Sequence, residues 1–368
     1  MSGVRTAAVV GTGLIGTSIG LALRRHGIHA YLQDRDPEAL SAAQAVGAGR
    51  AQEPPARVDI AVLAVPPAMV APVLSALQQR DFARCYTDVA SVKLLPQAQA
   101  EAAGCDLGSY VGGHPMAGRE RSGPLAARAD LFRGRPWVLT PSAHTEPSTV
   151  DTAADLIGVC GGEALTMEPA EHDRAVAMTS HAPHVMASLV ASRFAEDSGE
   201  ATDLCGPGIR DLTRIAAGER ELWTDIIGSN APAVRRALAG IGTDLAAVLA
   251  ALGELGADCA ERREAARTEL GRMLGRGVSG RQRIAGPSGN SWQDCRTVSV
   301  VVDQGDRSMP RLLADADRCG IGVAEVRLEQ EPGRDVRAPE GRADVLVAVK
   351  SAPELVAALR SYGWVAWG

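Results

Sequence analysis

The chain has 368 residues, 46% of them apolar, and a formal net charge of −6. That composition buries cores rather than remaining disordered, and the length suits two or three domains. The acidic balance includes no long basic run, which argues against nucleic acid or an anionic membrane as the main partner. The seven cysteines (Cys85, Cys105, Cys160, Cys205, Cys259, Cys295 and Cys319) are scattered, odd in number and never spaced CxxC. Neither a disulfide framework nor a zinc knuckle is expected, and a reducing cytoplasm is. MSGVRTAAVVGTG at the start lacks the long apolar stretch of a signal peptide, and no run reaches the 18 apolar residues of a membrane span.

The first predicted elements are a buried strand, a glycine turn and an amphipathic helix, TAAVVGTGLIGTSIGLALRRHG, residues 6–27. Gly11, Gly13 and Gly16 make G-x-G-x-x-G. The first permits the tight turn, the second lets a pyrophosphate lie against backbone, and the third lets helix and strand pack closely. The helix start, Leu14 and Ile15, then points free N–H groups and a positive dipole end at phosphate. A second strand, AYLQD, ends in Asp34, 18 positions beyond Gly16, where a carboxylate meets the adenosine ribose hydroxyls and repels a 2′-phosphate. NAD is therefore expected over NADP, with Arg35 next door able to soften the preference. VDIAVLAVPPAMV is a strand running into a turn at Val65, Pro66 and Pro67, and CYTDVASVK a strand ending at Asp88, Ser91 and Lys93. SYVGGHP and RPWVLTP follow as further strands. Strands alternating with helices predict a parallel sheet with right-handed crossovers, whose ligands bind beyond the carboxyl ends of the strands. Ser91 and His114 both fall there.

From residue 168 the period becomes helical, and helices run to about residue 273. GRGVSGRQRIAGPSGNSWQD, residues 275–294, reads as a linker. Strand, helix, strand, strand, helix, strand follow, the βαββαβ order of a ferredoxin-like motif. The expected organisation is a dinucleotide-binding domain over 1–168, a helical domain over 169–274, a linker over 275–295 and a small α/β domain over 296–368.

TDVASVK, GGHPMAG, SHAPH, RDLTRIA and LWTDIIGSN occur in that order behind the glycine turn. In these motifs the sequence resembles the prephenate dehydrogenase family over residues 6–273, with an ACT-type domain over 296–368. The resemblance implies a Rossmann-type NAD domain, an all-α substrate and dimerisation domain, and a homodimer. It implies oxidation of prephenate with NAD and loss of CO2, giving 4-hydroxyphenylpyruvate, or the same chemistry on arogenate, giving tyrosine.

A neutral histidine suits removal of a hydroxyl proton near pH 7. By resemblance His114 is this base and Ser91 hydrogen-bonds it and the substrate hydroxyl; the alternative for Ser91 is a helix N-cap, with Lys93 in solvent. The resemblance also places Ser180, His184, Arg214, Glu120 and Trp223 at the substrate. Ser180 and His184 are four apart, one helix face. Arg214 supplies a planar cation for a carboxylate, or else pairs with Asp211 or Glu221. Trp223 lines the pocket or sits in a core. His181 and His184, three apart, lack the further ligands of a metal site, so no metal is expected. Glu120 could favour an ammonium and Arg119 a keto acid, which leaves prephenate and arogenate both open. An ACT-type domain implies an amino-acid effector such as tyrosine near DQGDRSMPRLL, where Gly305 marks the turn.

Overall fold

In the computed structural model the described residues are 3–118, 122–195, 199, 201–285, 295–303, 308–318, 323–329, 340–348 and 351–368. Glu120, Arg119 and Gly305, named above, lie outside them. The chain divides into two compact units, Met1–Thr243 and Asp244–Gly368.

The first unit opens with β1 (Thr6–Val10), α1 (Leu14–Arg25), β2 (His29–Gln33), α2 (Pro37–Ala45), β3 (Val58–Leu63), α3 (Val70–Gln79), β4 (Ala83–Asp88), α4 (Leu94–Ala102) and β5 (Tyr110–Pro115). Then come β6 (Pro136–Thr140), α5 (Pro147–Val159) and β7 (Glu163–Thr166). They form one sheet in the order β2-β1-β3-β4-β5-β6-β7. Strand alternation sends Ala7, Val9, Ile60 and Val62 into the core on one face, and Ala8, Ala61 and Leu63 into the core on the other. Helices cover both faces, so both are apolar. This is a Rossmann-like dinucleotide-binding fold.

The sheet is not parallel throughout, as the strand–helix rhythm had suggested. β1 to β5 are parallel, but β6 runs antiparallel to β5, with His114 opposite Val138, and β7 follows β6 in parallel. Among the described residues between β5 and β6 there are a short 3-10 turn, Pro124–Ala126, and a run of turns over 129–134, but no crossover helix. Without a crossover to carry the chain back, the next strand pairs in the opposite direction.

Helices follow: α6 (Pro169–Val176), a π-helical turn (Ala177–His181), α7 (Ala182–Ser192), α8 (Pro207–Thr213), α9 (Arg220–Ser229), α10 (Ala231–Glu254) and α11 (Ala260–Ala285). α11 continues into the segment read as a linker. Its glycines each cost about 1 kcal/mol in a helix, but hydrogen-bond propagation is cheap once the helix is nucleated. Arg276 also pairs with Asp244 on α10 at 2.7 Å. The helical region leaves much apolar surface open: Leu204, Leu245, Leu249, Leu252 and Leu274 are all exposed. α10 is the one helix among the described residues long and apolar enough to cross a membrane by length and composition alone.

The second unit begins within α10, includes α11, and then carries β8 (Cys295–Asp303), α12 (Ser308–Arg318), β9 (Val323–Glu329), β10 (Glu340–Ala348), α13 (Ala352–Ser361) and β11 (Ala366–Trp367). Its sheet is antiparallel in the order β11-β8-β10-β9. Val298, Val300, Val345 and Val347 pack against Leu312, Leu355 and Leu359 of the two helices.

Candidate active site

The glycine turn is built as its spacing predicts. Gly11 has φ +99°, and a Cβ there would lie 2.1 Å from the Ala64 carbonyl oxygen. A Cβ on Gly16 would lie 2.0 Å from the Gly11 carbonyl oxygen. These two glycines let β1, β3 and α1 converge. Gly13 differs: a Cβ there would meet nothing within 4 Å. It is the N-cap of α1 and supplies no side-chain cap, so the N–H groups of Leu14, Ile15 and Gly16 have no partner within the helix. Open space before uncapped N–H groups at a positive dipole end fits a pyrophosphate.

Asp34 stands at the end of β2. Its carboxylate accepts from Thr12 N at 2.5 Å, Thr12 Oγ1 at 2.8 Å and Asp36 N at 2.9 Å. Partial burial raises its pKa, but these hydrogen bonds outweigh burial and hold it below the usual carboxylate value. A fixed anion beside the glycine turn suits neutral ribose hydroxyls. Val65 packs on the core beside β3, and Pro66 opens the short turn Pro67–Met69.

The glycines before His114 serve the sheet. A Cβ on Gly112 would lie 2.6 Å from Thr140 Oγ1, and one on Gly113 would lie 2.5 Å from the Asp88 carbonyl oxygen. Below them sits a buried polar layer. Lys93 is not in solvent: its ammonium bonds the Asp88 carboxylate and, at 2.6 Å, the Gly113 carbonyl. Tyr110 Oη donates to Asp88 Oδ2 at 2.6 Å. Burial drives the Lys93 pKa down and Asp88 opposes it; burial and Asp88 together push the Tyr110 pKa well up. The lysine ties β4 to β5 directly beneath the histidine.

His114 is half-buried at the carboxyl end of β5, the edge of the sheet at which the glycine turn also lies. Its Nδ1 is 2.8 Å from His172 Nε2, and His172 Nδ1 is 2.8 Å from Asp173 Oδ1. Asp173 also accepts from Lys93 N at 2.8 Å and Leu94 N at 3.0 Å, which caps α4. Ser91, half-buried between β4 and α4, is therefore not that helix's cap. The Asp173 carboxylate accepts from two backbone N–H groups and, with His172 Nδ1–H as its third donor, the chain takes one consistent direction. The network then assigns the tautomers: His172 donates from Nδ1 and accepts at Nε2, and His114 donates from Nδ1. The lone pair of His114 Nε2 is left outward. Burial, then the fields of His172, Lys93 and His181, push the His114 pKa well below its ordinary value, so the ring is neutral.

His172 and Asp173 escaped the sequence reading, which took EHDRAVAM only as helix. The adjacent His-Asp pair at a helix start was the available signal. Twelve positions separate His172 from His184, about 120° around a regular α-helix. The π turn between them absorbs one extra residue, and the remaining eleven steps bring the two to within about 20°. Half-buried Ser180 lies in that turn. His181, buried at its end, accepts from Asn230 Nδ2 at 3.2 Å, and the same amide donates to the Asp173 carbonyl at 2.8 Å. Burial lowers the His181 pKa to about 4. His184 is buried on α7 and stacks on half-buried Trp223 of α9, which also stands edge-on to His181. Four of the seven histidines thus gather on one side of the chain.

Arg214 is exposed in the turn Arg214–Ala217, which packs on α7. Glu221 is bonded to Arg220 at 2.5 Å. Among the described residues no group of three or more His, Cys, Asp or Glu is arranged to hold a metal ion.

Residues 19–166 match the family model described as prephenate dehydrogenase, nucleotide-binding domain, and residues 168–259 match prephenate dehydrogenase, dimerization domain. The chain is 38% identical over 366 residues to "Probable prephenate dehydrogenase NovF" of Streptomyces niveus, with 99% of each chain covered. It is similar to the structure of prephenate dehydrogenase from Aquifex aeolicus in complex with hydroxyphenyl propionate and NAD+, with 26% identity, TM-score 0.66 and coverage of 76% of this chain and 98% of that one. It is also similar to Synechocystis arogenate dehydrogenase, with 27% identity, TM-score 0.61 and coverage of 76% and 99%. With both family domains matched in order and a relative aligned end to end, the chain belongs to the prephenate dehydrogenase family.

Proposed function

We infer that the protein is an NAD-dependent prephenate dehydrogenase, which oxidises prephenate with loss of CO2 to 4-hydroxyphenylpyruvate in tyrosine biosynthesis. The observation that carries the reading, beyond family membership, is the hydrogen-bond chain that leaves His114 neutral with its Nε2 lone pair outward. Prephenate carries a ring alcohol and, para to it, a carboxylate. NAD, when bound at the glycine turn, supplies the hydride acceptor. The protein must take the hydroxyl proton, hold the ring carboxylate and exclude water. His114 Nε2 accepts the hydroxyl proton, and Ser91, on the loop after β4, hydrogen-bonds the same oxygen. Once C4 is oxidised, departure of CO2 makes the ring aromatic, which drives the reaction forward.

Arg214 grips the ring carboxylate, and a planar guanidinium can do so through two parallel hydrogen bonds. Ser180, His184, Trp223 and Glu120 complete the substrate side. Gly11, Gly13, Leu14, Ile15, Gly16, Asp34, Val65 and Pro66 form the cofactor side.

The exposed leucines of α10 and α11 support a homodimer, since a helical domain with so thin a core of its own needs a partner surface. The βαββαβ order of the elements from β8 to β11 supports an ACT-type domain, and tyrosine is its proposed effector. The proposed location is the cytoplasm. The test is NADH formation at 340 nm with prephenate and with arogenate side by side. Prephenate-dependent NADH with CO2 release is expected; turnover of arogenate alone would transfer the assignment to the amino analogue, as in the Synechocystis relative.

A further inference from the structure

We propose that His172 and Asp173 are the inner half of a proton relay: as His114 Nε2 takes the substrate hydroxyl proton, His114 passes its Nδ1 proton to His172 Nε2, and the positive charge comes to rest on His172 against the Asp173 carboxylate. The proposal rests on the reading of His114 as the base. It balances without a further reagent. The substrate O–H and the His114 Nδ1–H bonds break, Nε2–H bonds form on His114 and His172, and His114 ends neutral.

Geometry provides the path. The two nitrogen–nitrogen and nitrogen–oxygen steps are each 2.8 Å, and His172 and Asp173 are 1% and 2% exposed. Solvent does not reach the inner pair, so the proton that leaves His114 has one place to go. Electrostatics provide the direction. His114 is faced by Lys93 from the turn before α4, by His181 from the π turn and by His172 from α6, with Asp88 engaged by Lys93 and Tyr110 below. Among the described residues no anion touches it directly. His172, one ring further in, holds a carboxylate on its far nitrogen. Moving the charge inward by one imidazole therefore places it directly against a carboxylate. The carboxylate is itself fixed at three points, by His172, Lys93 N and Leu94 N, while Asn230 holds the Asp173 carbonyl. The relay is thereby anchored to the loop that carries Ser91.

The test is His172→Gln in the full chain. Glutamine can accept from His114 Nδ1–H through Oε1, which preserves the tautomer, but it cannot take the proton. Expected are a kcat lower by roughly 10- to 10²-fold, a KM for prephenate and an NAD affinity close to wild type, and an acid limb of kcat/KM moved to lower pH, because the charge must now sit on His114. A kcat within about threefold of wild type with an unmoved acid limb would overturn the relay. The wild-type enzyme gives an independent measurement: its rate in mixed H2O and D2O should bow as two protons in flight require, and a strictly linear, one-proton dependence would equally overturn it. A wild type that forms no NADH with prephenate would instead refute the functional reading on which the proposal rests.

Discussion

The imidazole of His184 lies parallel to the indole of Trp223, with ring centroids 3.6 Å apart and planes 11° from parallel. Gly218 is what permits the stack. A Cβ there would lie 2.3 Å from Trp223 Nε1 and 3.1 Å from His184 Cε1. Gly218→Ala is expected to push the indole away at a cost of about 1–3 kcal/mol, seen as a KM for prephenate raised roughly 5- to 150-fold and NAD binding left alone. An unchanged KM would show that the stack does not border the substrate.

His114→Asn removes the outward Nε2 lone pair while keeping a polar atom near the position of Nδ1. The expected loss in kcat is roughly 10²–10⁴, the range for a general base, with NAD affinity measured by fluorescence titration nearly unchanged. Turnover near wild type would move the base elsewhere.

NAD should exceed NADP in kcat/KM by roughly 10²-fold, since opposed like charges cost several kcal/mol. Asp34→Asn should narrow that ratio, because it deletes the anion while an amide oxygen can still accept from Thr12. If the wild-type ratio were near one, the neighbouring Arg35 would be governing the corner instead.

The buried histidines make stability depend on pH. His181 has a folded value of about 4, against about 6.5 unfolded. Between those values the unfolded chain binds the extra proton, so stability is full above about pH 6.5 and falls as the solution is acidified toward pH 4. The slope is about 1.4 kcal/mol per pH unit for each such group. The lowered values of His114 and His184 act in the same direction. Urea midpoints should therefore fall from pH 7 to pH 5, and less steeply for His181→Gln. A midpoint that rises over that interval would contradict the burial of these rings.

What the sequence determined by itself was local. G-x-G-x-x-G between a strand and a helix is recognisable because its causes lie within a few residues: a left-handed turn at Gly11, contact across the turn at Gly16 and an open face at Gly13. The strand–helix rhythm of β1 to α4 and the βαββαβ order from β8 to β11 were legible for the same reason, since period and turn chemistry are short-range. His114 stood out through its flanking glycines, although those glycines turned out to clear Thr140 and Asp88 within the sheet. Tertiary structure alone decided what depended on distant partners. His114 meets a histidine 58 positions away, and α4 is capped by a carboxylate 80 positions from Lys93. Lys93 reads as a surface residue until Asp88 and the Gly113 carbonyl enclose it. The reversal at β6 goes with a connection that shows no crossover helix among its described residues, and the π turn shifts the helical phase that spacing would assign. In each case the deciding energy is a contact between segments whose local sequence carries no record of one another.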